Sequence, residues 1–389
     1  MYSSTRFSEL MKGLSRSSFN QSVKKFEGDK YCKGFSSYDH LSAMVFAQLS
    51  SSTSLREVEA GFNGSGRHQY HLGTDQIKRS TLADANAKRD SAIFEQACLS
   101  LMGQVSRSFR KKMSERLLII DSTPIRLVGR GYDEWTKASR IKRLQGLKTH
   151  VVLCSESGMA ESVKISASNV NDLDVGKTLK IEAGTTYTMD KGYYDYNWWN
   201  SIDESGAYFV TRLKVNAAVI DVEEHACDGQ EGILSDTLIR FKTRRPGAKR
   251  KNEYYGKQLR RVVVDRPDKP TPLVLVTNDM ERSAEEVASV YKRRWEIENF
   301  FKWLKQNLEM KRFLGRSENA VKIQIYIAII TQLLLELYRL KHSPTKSAHI
   351  TLATLKTGLF QSVGTAYEKH KIRLQALDEF KKKQQSLAF

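Results

Sequence analysis

The sequence predicts an α/β protein: a mixed five-stranded sheet with helices, interrupted by a β-rich insertion and preceded by an all-helical N-terminal domain. Three observations predict it. Apolar residues recur at helical spacing from Met1 to about Met113. From Arg116 to Lys214, β-type runs are followed by one helix and a last strand, and the first and fourth runs end in aspartate. One long amphipathic pattern then runs from Ser283 to about Leu308. At 389 residues the chain exceeds what one core usually organises, so several domains are expected. Their boundaries fall at 1–113, 114–214, 215–282, 283–342 and 343–389, the last being a helical C-terminal tail.

In the N-terminal region, Leu41, Met44, Val45 and Leu49 repeat at helical spacing. The loop Ser50-Ser51-Ser52-Thr53-Ser54 offers Ser54 as cap to a helix beginning at Leu55. Gly61, Gly64 and Gly66 mark a further break. The stretch from Lys78 to Arg89 predicts a short helix capped by Ser80, with Arg79 near its start, Lys88 and Arg89 at its end and Asn86 between them. That pattern suits a recognition helix in a DNA groove, and an ordinary basic surface helix is the plainer reading.

The aliphatic run Leu117-Leu118-Ile119-Ile120 delivers Asp121 to a strand end, where a charge is costly unless paired or bound to metal. The bland alternative is an Asx turn ahead of Pro124. Strands follow at Leu147–Cys154 and Glu161–Ser168, joined by the hairpin Ser155-Glu156-Ser157-Gly158. A fourth run from Gly184 ends in Asp190, within Asp-Lys-Gly-Tyr-Tyr-Asp. Asn197 then caps a helix through Trp198 and Ile202, and Tyr208–Lys214 is the fifth strand.

Between Val215 and Ser283, β-type runs occur at Gly232–Phe241, Leu259–Val264 and Pro272–Val276. The first two flank Arg244, Arg245, Lys249, Arg250, Lys251, Tyr254 and Tyr255. Cations interleaved with aromatics suit phosphate contact and base stacking, and a solvated charged loop is the plainer reading. On the helix from Ser283 onward, residues advance by ~100° each, so Tyr291, Arg294, Glu298 and Lys305 share an arc of about 60°. Val290, Ile297, Phe301, Leu304 and Leu308 face a core beside them.

Composition constrains the function class. Sixty-three Lys and Arg against 44 Asp and Glu give a formal net charge of +19, which favours a polyanionic partner, nucleic acid first. The four cysteines, Cys32, Cys98, Cys154 and Cys227, are far apart, so neither a zinc site nor a disulfide framework is indicated, and a reducing cytoplasm fits. The N-terminus lacks the apolar core of a signal peptide. Val321–Leu340 is interrupted by Lys322, Gln324, Gln332 and Glu336, short of the ~20 apolar residues of a membrane span. A buried helix and no membrane partner are expected.

Tyr291, Arg294, Glu298 and Lys305, separated by two, three and six residues, match at all four positions the signature of the insertion sequence 4 family of bacterial DDE transposases, its YREK group. The chain resembles that family over nearly its whole length. Gln48-Leu49 through Arg56, and His71-Leu72-Gly73 through Ala83, look like the helical domain that precedes the catalytic core in many members. The strand order is that of the RNase H-like fold. The resemblance implies Asp121, Asp190 and Glu298 as catalytic residues and ligands to two Mg²⁺ or Mn²⁺ ions per active site. It implies DNA-backbone roles for Tyr291, Arg294 and Lys305. It further implies double-stranded DNA as partner, both the element's terminal inverted repeats and the target. A homodimer on paired DNA ends, metal-dependent cleavage at the element ends, joining of the 3′-hydroxyls to target DNA, and a bacterial cytoplasmic, nucleoid-associated location complete the expectation. Relatives that cut through a hairpin stack a flipped base on a tryptophan of the insertion. Here Trp135, Trp198, Trp199, Trp295 and Trp303 all lie outside it, leaving Tyr254 or Tyr255 as substitutes. Two rival readings are a domesticated, non-catalytic DNA-binding derivative of a transposase, and another RNase H-like nuclease.

Overall fold

A computed structural model describes residues 4–64, 69–110, 115–138, 145–227, 231–245, 251–308, 310, 312–363, 374 and 377. In chain order the helices are α1 (Arg6–Met11), α2 (Arg16–Lys25), α3 (Ser37–Ser50), α4 (Leu55–Asn63), α5 (Gln69–Leu72), α6 (Arg79–Lys88), α7 (Ala92–Arg110), α8 (Asp172–Gly176), α9 (Tyr196–Glu204), α10 (Ala284–Lys292), α11 (Trp295–Asn307), α12 (Glu318–His342) and α13 (Ala348–Gly358). The strands are β1 (Arg116–Arg126), β2 (Lys137–Ala138), β3 (Gln145–Cys154), β4 (Met159–Ala167), β5 (Thr185–Met189), β6 (Tyr208–Arg212), β7 (Val219–His225), β8 (Ile233–Phe241), β9 (Leu259–Val264) and β10 (Leu273–Thr277). The chain divides into two compact units, Met1–Leu101 with Gln306–Phe389, and Met102–Lys305.

The first unit is helical. Ser36 and Asp39 close a capping box on α3, and Ser54 caps α4 through the Glu57 amide, as the serine loop predicts. Leu41, Met44, Val45 and Leu49 are all fully buried. Helix α12 packs against α1, α3, α6 and α13. It therefore belongs with the N-terminal helices, and the expected boundary 283–342 moves back to Lys305. By length and composition α12 is apolar enough to cross a bilayer, yet 83% of its most apolar window is buried inside the protein. A helix apolar all round is what a core position requires.

The second unit is built on one ten-stranded sheet in the order β2-β3-β1-β5-β6-β10-β9-β8-β7, with β4 paired to β3. β1 runs parallel to β5 and β5 parallel to β6, whereas β1–β3, β3–β4 and β6–β10 are antiparallel. The strands expected at 232–241, 259–264 and 272–276 are present, and β7 joins them. They extend the core sheet through the β6–β10 pairing instead of forming a separate layer. Alternate residues of the strands face opposite sides. Leu118, Ile120, Val152, Tyr187 and Met189 pack with Tyr193, Trp198 and Trp199 on one face, and Leu117, Val210, Val262 and Leu275 pack with Val287, Val290 and Tyr291 of α10 on the other. Gly146, at φ 136°, lets β3 meet β1, since a β-carbon there would stand 2.1 Å from the Ile125 carbonyl oxygen. Helix α9 is capped by Asp195, whose carboxylate accepts from the Trp198 amide, and not by Asn197.

Candidate active site

Two strands set the first two carboxylates side by side. The parallel register pairs Ile120 with Met189 and stops there, so Asp121 and Asp190 follow as the next residue on each strand. β5 ends at that point, while β1 continues against β3 to Arg126, so Asp121 lies mid-strand and not at a strand end or an Asx turn. The edge that β5 leaves open also tolerates Pro124, which has no N–H to donate. Asp190 caps a single 3-10 turn, its Oδ1 accepting from the Gly192 amide at 2.7 Å. A β-carbon on Gly192 would come within 2.9 Å of that oxygen.

The third carboxylate comes from across the sheet face. The long helix expected from Ser283 to Leu308 is two helices: α10 is capped by Ser283 and Glu286 and ends at Lys292, and α11 starts at Trp295. At the step, Arg293 reaches Glu156 on the β3–β4 hairpin at 3.2 Å and Glu296 at 3.1 Å, and the Ser155 hydroxyl bonds Glu296. These ties to a strand hairpin fix the break, which helical periodicity cannot register. The i,i+4 relation within α11's entry survives. Arg294 Nη2 lies 2.8 Å from Glu298 Oε1, and its Nη1 lies 3.7 Å from Asp121 Oδ2. Tyr291 is buried with the Arg294 guanidinium 5.7 Å from its ring centre. Lys305 Nζ donates to Thr123 Oγ1 at 2.5 Å and to the Pro124 carbonyl at 3.2 Å, latching α11 to β1 two residues past Asp121.

Burial pushes the Asp121 carboxyl up to about 6. The Ser122 amide and Arg294 pull it down, while the charges of Asp190 and Glu298 push it further up. Asp121 is thus within electrostatic reach of both other carboxylates. Among the described residues no group of three or more His, Cys, Asp or Glu side chains is arranged to hold an ion. Arg294 bridges two of the carboxylates, with Nη2 on Glu298 and Nη1 toward Asp121. The donor set still fits a hard divalent cation, being all carboxylate oxygen and carrying repulsion that a cation would relieve.

The other predicted DNA-facing residues divide. Arg79 and Lys88 are exposed on α6, which has Lys78 at its N-cap with no side-chain cap from Ser80. Arg89 is buried: its guanidinium donates to the carbonyls of Gly28, Phe35 and Ser36, so it fastens the helical unit and does not face a groove. Asn86 is buried too, bonded to His40 at 2.8 Å. Tyr254, 1% exposed, packs against Phe209 and Phe241 and is no stacking platform, whereas Tyr255 is 45% exposed. Arg244 and Arg245 are exposed and Lys251 pairs with Glu253. Lys249 and Arg250 lie outside the described residues.

Sequence reasoning missed a basic group beside Asp190. Burial, then the charges of Arg212, Arg266 and Lys214, hold the Lys191 ammonium below its usual range. It also missed Ser122, Lys148, His150, Asp172 and Tyr193. Ser122 and Tyr193 had proximity to the two aspartates as their only sequence signal, in Asp121-Ser122 and Asp190-Lys191-Gly192-Tyr193, whereas Lys148, His150 and Asp172 lie far from both in sequence and had none.

A family model described as transposase DDE domain matches residues 112–334, more than half of the chain. The chain belongs to the transposase DDE domain family. A second model, a domain of unknown function (DUF4372), matches residues 2–75. A chain of Sinorhizobium fredii (strain NBRC 101917 / NGR234) named transposase y4zB is 39% identical over 263 residues, 66% of this chain and 70% of that one. A Geobacillus stearothermophilus chain named transposase for insertion sequence element IS5377 is 28% identical over 270 residues, 69% of this chain and 68% of that one. The solved piggyBac transposase synaptic complex with hairpin DNA aligns over 89% of this chain and 78% of that chain, with TM-score 0.43 and 9% identity. Transposition is the function these relatives carry. The family is one of DNA-cleaving enzymes that generally use divalent metal ions.

Proposed function

We propose that the chain is the transposase of a bacterial insertion sequence of the insertion sequence 4 family, YREK group, with an RNase H-like core and a helical N-terminal DNA-binding domain. The order β4-β3-β1-β5-β6, with β1 and β5 parallel, supports that core. It binds the terminal inverted repeats of its element as a homodimer in the cytoplasm, associated with the nucleoid, cuts at the element ends and joins the freed 3′-hydroxyls to target DNA. The observation that carries this reading is Asp121 and Asp190 side by side on parallel strands, with Arg294 in reach of both Asp121 and Glu298 and the four-residue signature intact.

Asp121, Asp190 and Glu298 would hold Mg²⁺ or Mn²⁺. Two such ions supply activation of the attacking oxygen and charge stabilisation on the leaving one. The protein's own part is positional. Arg294 holds Glu298 until a phosphate or cation competes for it, and its planar fork suits a phosphate bidentately. Lys305 fixes β1 against α11, so Thr123 and Asp121 keep their register. Lys191, Arg212, Lys214 and Arg266 form a cationic border beside Asp190 that suits a DNA backbone. Hydrolysis breaks the P–O3′ bond at the element end, the attacking water oxygen bonds phosphorus and the 3′-oxygen leaves as a hydroxyl. Joining reverses the roles, with that 3′-hydroxyl as nucleophile.

Cleavage of a labelled duplex carrying the element's terminal repeat, with Mg²⁺ or Mn²⁺, tests the reading. Nicking at the repeat boundary should depend on metal and be lost in Asp121→Asn and Glu298→Gln while binding survives. Specific binding by the native chain without any cleavage on paired ends would instead favour the non-catalytic derivative.

A further inference from the structure

We infer that Asp172, acting through Ser122, is a positioning residue for the Asp121 carboxylate. This inference rests on the carboxylate-site reading above. Ser122 is the only residue between Asp121 and Thr123, and it has two ends. Its amide donates to Asp121 Oδ1 at 2.7 Å, and its hydroxyl donates to Asp172 Oδ1 at 2.8 Å. Strand alternation sends the two side chains to opposite faces. Asp121 therefore faces α11, and Ser122 faces α8 and Tyr193. Asp172 is anchored in turn. Lys148 Nζ reaches the same Oδ1 at 3.0 Å and also donates to the Val170 carbonyl, and His150 Nδ1 lies 3.6 Å away. His150 sits directly across the β1–β3 ladder from Ser122, with its Nε2 bonded to Ser166 Oγ. One oxygen of Asp172 thus carries every one of these ties.

The other oxygen, Oδ2, is turned toward the second aspartate: it lies 3.8 Å from where a Gly192 β-carbon would stand, with Asp190 Oδ1 at 2.9 Å from that same point. A second, independent observation marks the place. Tyr193 is 1% exposed, and its hydroxyl has no hydrogen-bond partner among the described residues. Burial first, then the charges of Asp172, Asp121 and Asp190, oppose its ionisation, so the hydroxyl stands in the field of all three. A purely structural Asp172 would need only the Lys148 bond. The serine link makes sense if the orientation of Asp121 is what must be held. Outer partners of this kind commonly tune metal affinity 10–100-fold.

The test is Mn²⁺ binding by the full chain, followed as loss of the free-ion electron paramagnetic resonance signal, with metal-free unfolding recorded in parallel. Asp172→Asn and Ser122→Ala should each weaken binding at least tenfold. The double variant should bind no worse than the weaker single one, since both cut one link. Metal-free unfolding of Ser122→Ala should match the native chain, because that change leaves the Lys148–Asp172 pair in place. If Asp172→Asn unfolds early, Ser122→Ala alone decides. Native-like binding in Ser122→Ala, while Asp121→Asn loses binding, overturns the inference and leaves the carboxylate site standing. A native chain that binds no Mn²⁺, or Asp121→Asn binding as tightly as native, removes the site itself and the inference with it.

Discussion

Asp236 on β8 and Asp121 on β1 belong to one sheet and are both withdrawn from water, but the chain compensates them differently. Asp236 is 2% exposed and meets Arg260, 5% exposed, through both oxygens, with the remaining guanidinium nitrogen on the Arg282 carbonyl. That pair is complete within the fold. Asp121 has the Ser122 amide and a guanidinium at 3.7 Å that is shared with Glu298, and it has two further carboxylates within electrostatic reach. A charge balanced internally holds the sheet together, whereas one left short of compensation costs stability and leaves a place for something from outside.

The comparison breaks most readily at Asp236. Replacing it with Asn leaves Arg260 buried without a counter-charge, and the expected loss is about 3–5 kcal/mol. All five tryptophans lie in the Met102–Lys305 unit, so intrinsic fluorescence during urea unfolding reports that unit directly. A loss under about 1 kcal/mol would mean the pair is not what steadies the insertion strands.

At Asp121 the sign reverses. Its folded carboxyl titrates near 6, above the ~4 of an unfolded aspartate. The folded state therefore binds the proton more tightly, and stability falls as pH rises from ~4 to about 6. Above that the deficit is constant. Asp121→Asn should stabilise the metal-free chain by about 1–3 kcal/mol at pH 8, with the gain vanishing near pH 4. Equal unfolding midpoints for the two proteins at pH 8 would show that Asp121 carries no such strain.

Much of this was legible in the chain. The runs ending at Asp121 and Asp190, and the Arg294–Glu298 spacing, are local patterns; the structure has the two aspartates on adjacent parallel strands and pairs Arg294 with Glu298. Four things were not legible. The break at Arg293 depends on Glu156, far away in sequence. The burial of Tyr254 and Arg89 depends on which partners the fold supplies, and basic or aromatic composition alone reads the same for a surface loop and a tertiary clamp. The membership of α12 in the helical unit is a tertiary choice, since an apolar helix packs equally well on a sheet or on other helices. Asp172 escaped because its meaning lies in a serine on a neighbouring strand.

The smallest expected effects sharpen the same contrast in the helical unit. Arg89 is compensated by three carbonyls inside the fold, while Arg79 and Lys88, on the helix that Arg89 caps, are exposed. Lys88 pairs with Asp84 at 3.7 Å, a surface pair of little worth. Changing both Arg79 and Lys88 to Ala should leave unfolding within about 0.5 kcal/mol of native. If α6 meets a DNA backbone, the double variant should bind all duplexes more weakly, and the slope of log affinity against log salt should become shallower by about 1 for each phosphate that the variant no longer neutralises. Arg89→Ala should show the opposite split, a lower unfolding midpoint with any weakening of DNA binding traceable to unfolding. An unchanged salt slope in the double variant would take α6 out of the DNA interface and leave the cations beside Asp190 to account for the affinity.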